Sequence, residues 1–258
     1  MNLIEKYYNK FNEDKRLLSR HGQVEFAVTM KYIKQYLKEY EVADIIDIGA
    51  GTGRYSVALC ELGHNVTAVE LVLHNLRVLE SKNSKVQAIL GNAMNLKKIK
   101  DNSFDITLLL GPLYHLFTLE DKLKALEEAK RVTKSGGKIF CAFYMNDYAV
   151  ISYGFKDGNI KECLKQNMLD ENFKVKDNEQ NLYSMVRLED IEKLEKLSNL
   201  KCEKIIGVDG ATDYIRPYLN KFDDETFDLF IKYQLSICER KELLGASSHI
   251  LDILSVEK

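Results

Sequence analysis

Three glycines at alternate positions, flanked by two acids, are the residues of this chain whose types and spacing could do chemistry. Gly49, Gly51 and Gly53 follow Asp47 in one short stretch, and Glu70 lies further along the chain. Glycine lets a backbone approach a ligand closely, and the exposed N–H groups of a helix start can face that ligand. A carboxylate at the end of a strand can accept hydrogen bonds from ribose hydroxyls. The pattern therefore predicts a site for a ligand that contains a nucleoside.

A strand, a helix and a second strand are predicted around these residues. The apolar run at Asp44–Ile48 is typical of a buried strand, and Arg54–Leu62 has apolar residues at helical spacing. Gly63 fits the C-terminal cap of that helix, and Asn65–Val69 is typical of a strand that ends at Glu70. Parallel strands bring their carboxyl ends to one edge of a sheet, where small ligands bind. We expect the glycines and Glu70 at that edge.

The spacing of the glycines indicates which nucleoside ligand is bound. A dinucleotide fingerprint, G-x-G-x-x-G, would need a glycine where this chain has Arg54. The stretch D-I-G-A-G-T-G instead resembles the acidic-x-G-x-G-x-G motif of the class I S-adenosylmethionine-dependent methyltransferases, and the chain resembles their small-molecule branch (methyltransferase type 11/25). The resemblance implies that S-adenosylmethionine is the cofactor. It also implies that Glu70 binds the ribose and that Leu71 helps to enclose the adenine. The residues of the loop that binds the methionine end would be Asp47, Gly49, Ala50, Gly51 and Gly53.

A polar turn after the predicted third strand resembles the adenine-binding turn of the same family. The strand is predicted at Val86–Leu90, and the turn that follows contains Asn92, Ala93 and Met94. The family has an acid where this chain has Asn92, whose amide oxygen can still accept a hydrogen bond from an exocyclic amine. The resemblance implies that these three residues enclose the adenine. The alternative is an ordinary turn in which Asn92 bonds the neighbouring backbone.

Residues after the predicted fourth strand are candidates for contact with the methyl acceptor. The strand is a continuous apolar run at Phe104–Leu110, and G-P-L-Y-H follows it. In the family this strand end faces the transferring methyl group, which implies that Leu110 and Gly111 line the reactive end and that Tyr114 and His115 contact the substrate. An imidazole can take a proton near neutral pH, so His115 is also the candidate catalytic base. A histidine that only packs in the core is the alternative.

The fold class follows from the alternation of these elements and from the family resemblance. We predict an α/β fold, a doubly wound, seven-stranded, mostly parallel sheet with helical cap insertions, in one domain over residues 1–258. A helix is predicted at Leu119–Thr133, a turn at Ser135–Gly137 and a fifth strand at Lys138–Tyr144. A sixth strand is predicted at Cys202–Val208. The last, at Ser248–Val256, would pair antiparallel between strands five and six, as in the family.

Segments outside the sheet are predicted to cover the site. Residues 146–186, with a helix at Ile160–Leu169, and residues 212–246 are candidate cap insertions rich in tyrosine and phenylalanine, which suits an acceptor pocket with an apolar component. Disordered filler is the alternative for the first. Residues 1–40 are predicted to be helical and form either a charged surface arm or a lid. The lid's candidate contact residues are Tyr7, Tyr8, Arg16, Arg20 and His21.

Composition limits the partners and the compartment that we expect. Of 258 residues, 45% are hydrophobic, enough for a substantial core, and the net charge of −2 gives no field that favours nucleic acid. The charged N-terminus does not resemble a secretory signal, and no apolar stretch has the length of a membrane span. The five cysteines have no metal-binding spacing, which predicts reduced thiols and no metal site. We expect a cytoplasmic protein without a membrane or nucleic-acid partner, in an oligomeric state that the sequence leaves open.

These observations predict S-adenosylmethionine-dependent methyl transfer to oxygen, nitrogen or sulfur of a small-molecule acceptor. Two rivals stay open. One is a methyltransferase that acts on RNA or protein, which a cluster of lysines and arginines around the pocket mouth would favour. The other is a non-catalytic protein that binds S-adenosylmethionine and transfers nothing. The resemblance has specific motifs over residues 43–145 and depends on pattern alone over 186–258.

Overall fold

A computed structural model describes residues 7, 16, 18–82, 84–178 and 181–258. Within these residues, seven strands form one sheet in the order β3-β2-β1-β4-β5-β7-β6. All neighbours pair in parallel except β7, which is antiparallel to both β5 and β6. This confirms the predicted seven-stranded, mostly parallel α/β fold. The strands are β1 (Asp44–Ile48), β2 (Asn65–Glu70), β3 (Gln87–Leu90), β4 (Phe104–Leu109), β5 (Thr133–Tyr144), β6 (Lys201–Gly207) and β7 (His249–Ser255).

Helices cover both faces of the sheet and extend beyond its edge. None of those in the described ranges has the length and apolar composition to cross a bilayer. A 3-10 helix, Pro112–His115, follows β4, and a π-helix, Val150–Lys156, follows the short α-helix Asn146–Ala149. The α-helices are α1 (Arg20–Leu37), α2 (Arg54–Glu61), α3 (Leu73–Ser81), α4 (Leu119–Val132), α5 (Asn146–Ala149), α6 (Ile160–Lys165), α7 (Leu188–Ser198), α8 (Arg216–Leu219), α9 (Asp224–Ile237) and α10 (Lys241–Leu244).

Two apolar layers hold the central strands, one on each face of the sheet. Successive residues of a strand point to opposite faces, so Ile46 and Ile48 of β1 join the layer under α4 and α7. Ile45, between them, joins the layer under α1 and α9. Burial of β1 and β4 on both faces explains why these strands are continuous apolar runs in the sequence. The strands that carry the glycine loop and the G-P-L-Y-H segment are therefore held rigidly.

Several helices and strands begin or end at residues other than those predicted from the sequence. β5 begins at Thr133, before the predicted turn, because the Ser135–Gly137 segment forms a bulge inside the strand, seen as a shift of register against β4. The helix predicted at Ile160–Leu169 ends at Lys165, and Asn167 follows with φ of +55°. Asn146–Lys156 is helical although its sequence lacks an apolar stripe. The division into lid, core domain and caps stays a prediction.

One buried acid of β7 lies against a second acid. Both carboxylate oxygens of Asp252 are buried next to Glu195 of α7 and Cys202 of β6, and neither makes a hydrogen bond of standard geometry within the described residues. Burial raises the pKa of Asp252 well above its ordinary value, and the charge of Glu195 raises it further. The folded state therefore binds this proton more tightly than the unfolded chain does. Its contribution to stability is present at low pH and is lost as the pH rises.

We expect Asp252→Asn to remove this loss, because the amide carries no proton that titrates. We compare how far the free energy of unfolding falls from pH 5 to pH 8 in each protein. The fall should be smaller in the variant than in the parent chain by about 1–3 kcal/mol, the usual scale for one buried polar group without a partner. Urea unfolding at both pH values measures this difference. Asp228→Asn, at an exposed position of α9, is the matched control. Equal pH dependence in all three proteins would contradict the assignment.

Candidate functional site

A cavity of about 310 Å³ lies at the carboxyl edge of the sheet, where the strand order reverses between β1 and β4. This is where ligands bind in open α/β sheets, and the volume is within the range of small-molecule sites. The predicted residues that line it are Asp47, Gly49, Ala50, Gly51, Glu70, Leu71, Asn92, Ala93, Met94, Leu110, Gly111, Tyr114 and His115. The fold thus brings together residues from four separate strand ends.

The glycine loop has the left-handed backbone that its sequence predicts. Gly49, Gly51 and Gly53 have φ of +76°, +58° and +82°. A Cβ at Gly49 would lie 2.6 Å from Cγ of Pro112, whereas one at Gly51 would meet nothing within 4 Å. Because Gly51 also lines the cavity, a side chain there would enter space that a ligand can use.

Gly53 does not line this cavity, unlike the other predicted loop residues. It is the N-cap of α2, and a Cβ at its position would lie 2.1 Å from Cδ1 of Leu79 in α3. This glycine therefore allows the two helices to pack closely. The motif spacing does not distinguish it from the glycines that face the cavity.

The carboxylate of Glu70 ties the loop after β1 to the loop after β2. One oxygen accepts the N–H of Gly51 at 2.8 Å, and the other accepts the N–H of Val72 at 2.7 Å. The side chain is 5% exposed, and burial raises its pKa while these two bonds lower it. The side chain of Asn75 and the backbone of Leu71 also bond this carboxylate. The ribose contact stays a prediction.

Asp47 and Asn92 make mainly local contacts. Asp47 is 2% exposed and accepts the hydroxyl of Ser56 at 2.5 Å, and burial, with the charge of Glu70, raises its pKa to about 6. The amide oxygen of Asn92 accepts the N–H of Met94 at 2.9 Å. This is the local turn that the sequence left open as the alternative for Asn92. The adenine contact stays a prediction, since the oxygen has a second lone pair.

His115 lies at the end of the 3-10 helix, next to Tyr114. Its Nδ1 is 2.9 Å from the carbonyl oxygen of Leu182. A carbonyl can only accept, so Nδ1 carries the proton and Nε2 is the basic nitrogen of the neutral ring. Burial lowers the pKa of His115 to about 4, although the Leu182 bond raises it slightly. His115 is neutral at pH 7 and a weak base, which fits a hydrogen-bond acceptor better than the predicted catalytic base.

A second cavity adjoins the first, and most of the residues that line it were not singled out in the sequence analysis. Tyr114, Arg16 and Glu25 line both cavities. The other residues that line the second cavity are His21, Tyr144, Tyr148, Tyr183, Asp209, Asp213, Arg216 and His249. Asp209 follows β6 and His249 begins β7. The ends of the predicted sixth and seventh strands were therefore the signal that could have found them.

The predicted lid residues differ in their contacts, as far as the structure describes them. Arg16 lines both cavities and His21 lines the second, while Arg20 pairs with Asp224 on α9 at 3.0 Å. Tyr7 is a hydrogen-bond partner of Tyr183, a residue of the second cavity. Tyr8 lies outside the described residues. That the segment acts as a lid stays a prediction.

Each acid of the second cavity has a cationic partner. Glu25 pairs with Arg16 at 3.0 Å, and Asp213 is bonded by Arg216. His249 Nδ1 is 2.6 Å from Oδ2 of Asp209. Burial lowers the pKa of His249, but the charge and the hydrogen bond of Asp209 raise it more, to about 9.

Among the residues that the structure describes, two groups of side chains have donor atoms close enough to share a metal ion. Glu25, Asp209 and His249 form one group, and Glu195, Cys202 and Asp252 form the other, with donor atoms within 4.8 Å of one another. In the first group, Arg16 and the charged His249 already neutralise the carboxylates. A cation would therefore have to displace a proton and compete with an ion pair.

Comparison with known proteins agrees with this geometry. A family model described as a methyltransferase domain matches residues 46–141. A demethylmenaquinone methyltransferase of Paenarthrobacter aurescens is 36% identical over 98 residues, which cover 38% of this chain and 37% of that protein. The chain thus matches little more than a third of that relative's length.

Solved structures resemble the chain over nearly all its length. A possible histamine N-methyltransferase of Thermotoga maritima has a TM-score of 0.59 at 17% identity, covering 98% of this chain and 97% of that one. A chain of the Haloferax volcanii complex between the Trm112 methyltransferase activator and a putative methyltransferase has a TM-score of 0.62 at 15% identity, covering 100% and 99%.

At these identities the structural matches show the fold, and the matched domain carries the glycine motif. Residues 46–141 of the chain therefore match a methyltransferase domain, and the chain has the fold of the S-adenosylmethionine-dependent methyltransferases that it resembles.

Proposed function

We propose that this protein transfers a methyl group from S-adenosylmethionine to oxygen, nitrogen or sulfur of a small-molecule acceptor. The observation that carries the proposal is the junction of two cavities at the carboxyl edge of the sheet, joined by Tyr114, Arg16 and Glu25. A transfer reaction between two bound reactants requires two adjoining sites. Positioning both reactants in line can remove roughly 7–11 kcal/mol of the barrier without a strong base.

The residues of the first cavity fit S-adenosylmethionine. Gly51 leaves space for the methionine end, and Glu70 lines the cavity where the ribose hydroxyls would lie. Asn75 adds an amide oxygen that is buried, lines the cavity and has no hydrogen-bond partner in the part of the chain that is described. Asn92, Ala93 and Met94 would enclose the adenine. When bound, the cofactor supplies an electrophilic methyl group on a sulfonium.

The lining of the second cavity supports the proposal that the acceptor is a small molecule. It is lined by the aromatic rings of Tyr144, Tyr148 and Tyr183 and by charged groups that pair with one another. A macromolecular acceptor such as RNA would require cationic side chains available for phosphates. Arg16 and Arg216 are bonded to Glu25 and Asp213 instead.

Glu70→Gln tests the ribose contact. The amide removes the charge and one acceptor oxygen, so we expect the binding free energy of S-adenosylmethionine to weaken by about 1–3 kcal/mol. Isothermal titration calorimetry measures this change. Glu61→Gln, at an exposed position of α2, should bind as the parent does. Unchanged affinity in a folded Glu70→Gln protein would refute the role.

Gly51→Ala tests whether the loop backbone approaches the cofactor. The new Cβ would enter the cavity, and we expect affinity for S-adenosylmethionine to fall at least about tenfold, or 1.4 kcal/mol. Gly63→Ala is a matched control, since Gly63 also has positive φ, of +94°, and no atom within 4 Å of an added Cβ. Both variants strain the backbone, but only Gly51→Ala should lose binding by calorimetry. Equal affinity in both would contradict the close approach.

A further inference from the structure

The direction of β7 brings two distant segments of the chain together beside the acceptor cavity. β7 is antiparallel to its neighbours, so its first residue, His249, lies at the carboxyl edge and pairs with Tyr144, the last residue of β5. β6 ends at Gly207 on the same edge, and Asp209 follows it. Both side chains line the second cavity. An aspartate–histidine pair is thus built where the acceptor would lie.

The aspartate is held in one position by several donors. Oδ2 of Asp209 accepts His249 Nδ1 at 2.6 Å, the backbone N–H of His249 at 2.9 Å and the hydroxyl of Ser248. The hydroxyl of Ser247 accepts the N–H of Asp209 at 3.1 Å and that of Gly210 at 3.0 Å. Asp209 is 3% exposed. Since a carboxylate only accepts, the proton of the neutral imidazole is on Nδ1, and Nε2 is its basic nitrogen.

Aromatic rings surround the histidine. Its ring centroid is 5.1 Å from that of Tyr144 and 6.1 Å from that of Tyr114, and Tyr183 stacks on Tyr144 at 5.3 Å. Flat apolar walls of this kind suit an aromatic acceptor. Tyr114 also lines the cofactor cavity, so an acceptor in contact with it would lie near the reactive end.

The paired charges argue for a neutral acceptor. Glu25 and Asp213 each pair with an arginine, so these two carboxylates are not available to an ammonium group. A neutral hydroxyl becomes a good nucleophile only when it loses its proton. A base is therefore required, and His115, with a pKa of about 4, is poorly suited to this role.

We propose that the second cavity binds a hydroxylated aromatic acceptor and that His249, positioned by Asp209, removes the proton of its hydroxyl. This inference rests on the proposed methyl transfer. The oxygen forms a bond to the methyl carbon, the bond between that carbon and sulfur breaks with its electron pair on sulfur, and the hydroxyl proton moves to Nε2. The products are an aryl methyl ether, neutral S-adenosylhomocysteine and an imidazolium, whose proton is released to solvent. Asp209 is the positioning residue and His249 the catalytic residue.

The charges around His249 match this base to its substrate. Burial and Arg16 lower its pKa, while Asp209 and Glu25 raise it. Asp213 also interacts with the charge of His249, and Tyr114, Tyr144 and Ser248 are uncharged neighbours. The result of about 9 is near the ordinary pKa of a phenol, about 10. A catalytic base is most effective when its pKa lies near the operating pH, so His249 would act best at alkaline pH. Nε2 must be unprotonated to accept, so the rate should rise with pH up to about 9.

The test supplies the intact protein with methyl-deuterated S-adenosylmethionine and a panel of substituted phenols, with the matching anilines, thiophenols and benzoic acids. Mass spectrometry detects the labelled product. We expect transfer to phenols, with His249→Gln and Asp209→Asn each at least 100-fold slower at unchanged affinity for the cofactor. His74→Gln, at an exposed position of α3, should keep the parent rate. Loss of activity in chelator that Mg²⁺ restores would assign the cluster to a metal and overturn the proposal.

A second readout does not depend on turnover. NMR follows the titration of the histidine ring carbons, and the signal of His249 is the one that is missing in His249→Gln. This signal should titrate above pH 8 in the parent and at least one pH unit lower in Asp209→Asn. An unchanged titration in Asp209→Asn would mean that Asp209 does not act on the imidazole of His249, which would overturn the proposal. Labelled transfer to anilines or thiophenols alone would also overturn it while leaving the proposed function intact. Absence of cofactor binding by calorimetry would instead refute the proposed function itself.

Discussion

The carboxylate of Glu70 is the constraint on which the cofactor cavity depends. It is buried at the tip of β2, where an ion without partners would be costly, and its two oxygens accept N–H groups from the loops after β1 and β2. Gly51 presents its N–H to this carboxylate with a backbone φ of +58°, which glycine adopts at little cost. A single acid thereby holds two loops in one arrangement, and the cavity between them is formed by the fold itself.

The acceptor cavity depends on a different constraint, the reversed direction of β7. In a fully parallel sheet the first residue of the last strand would lie at the opposite edge. Because β7 is antiparallel between β5 and β6, His249 instead meets Tyr144 and Asp209. The first cavity thus uses the strands around β1, and the second uses the strands on the other side of β4. A single sheet edge provides both halves of a two-reactant site.

The sequence predicted the fold and most of the first cavity, since the glycine loop and the strand ends there are contiguous motifs. The motif did not separate Gly53, which serves helix packing, from Gly51, which faces the cavity. It also could not identify Asp209 and His249 as a pair, because the two residues are forty positions apart in the chain. The antiparallel last strand was predicted, but strand pairing alone does not specify which side chains at the edge meet.

His115 lines the first cavity and His249 the second, and the surroundings of each ring decide its chemistry. Nδ1 of His115 donates to a neutral carbonyl, which cannot offset the burial of an imidazolium, and its pKa falls to about 4. Nδ1 of His249 donates to a carboxylate, whose charge stabilises the imidazolium more than burial opposes it, and its pKa rises to about 9. The position of His115 after β4 made it the obvious candidate base from the sequence. The partner of each ring, which only the fold defines, favours a hydrogen-bonding role for His115 and an acid–base role for His249.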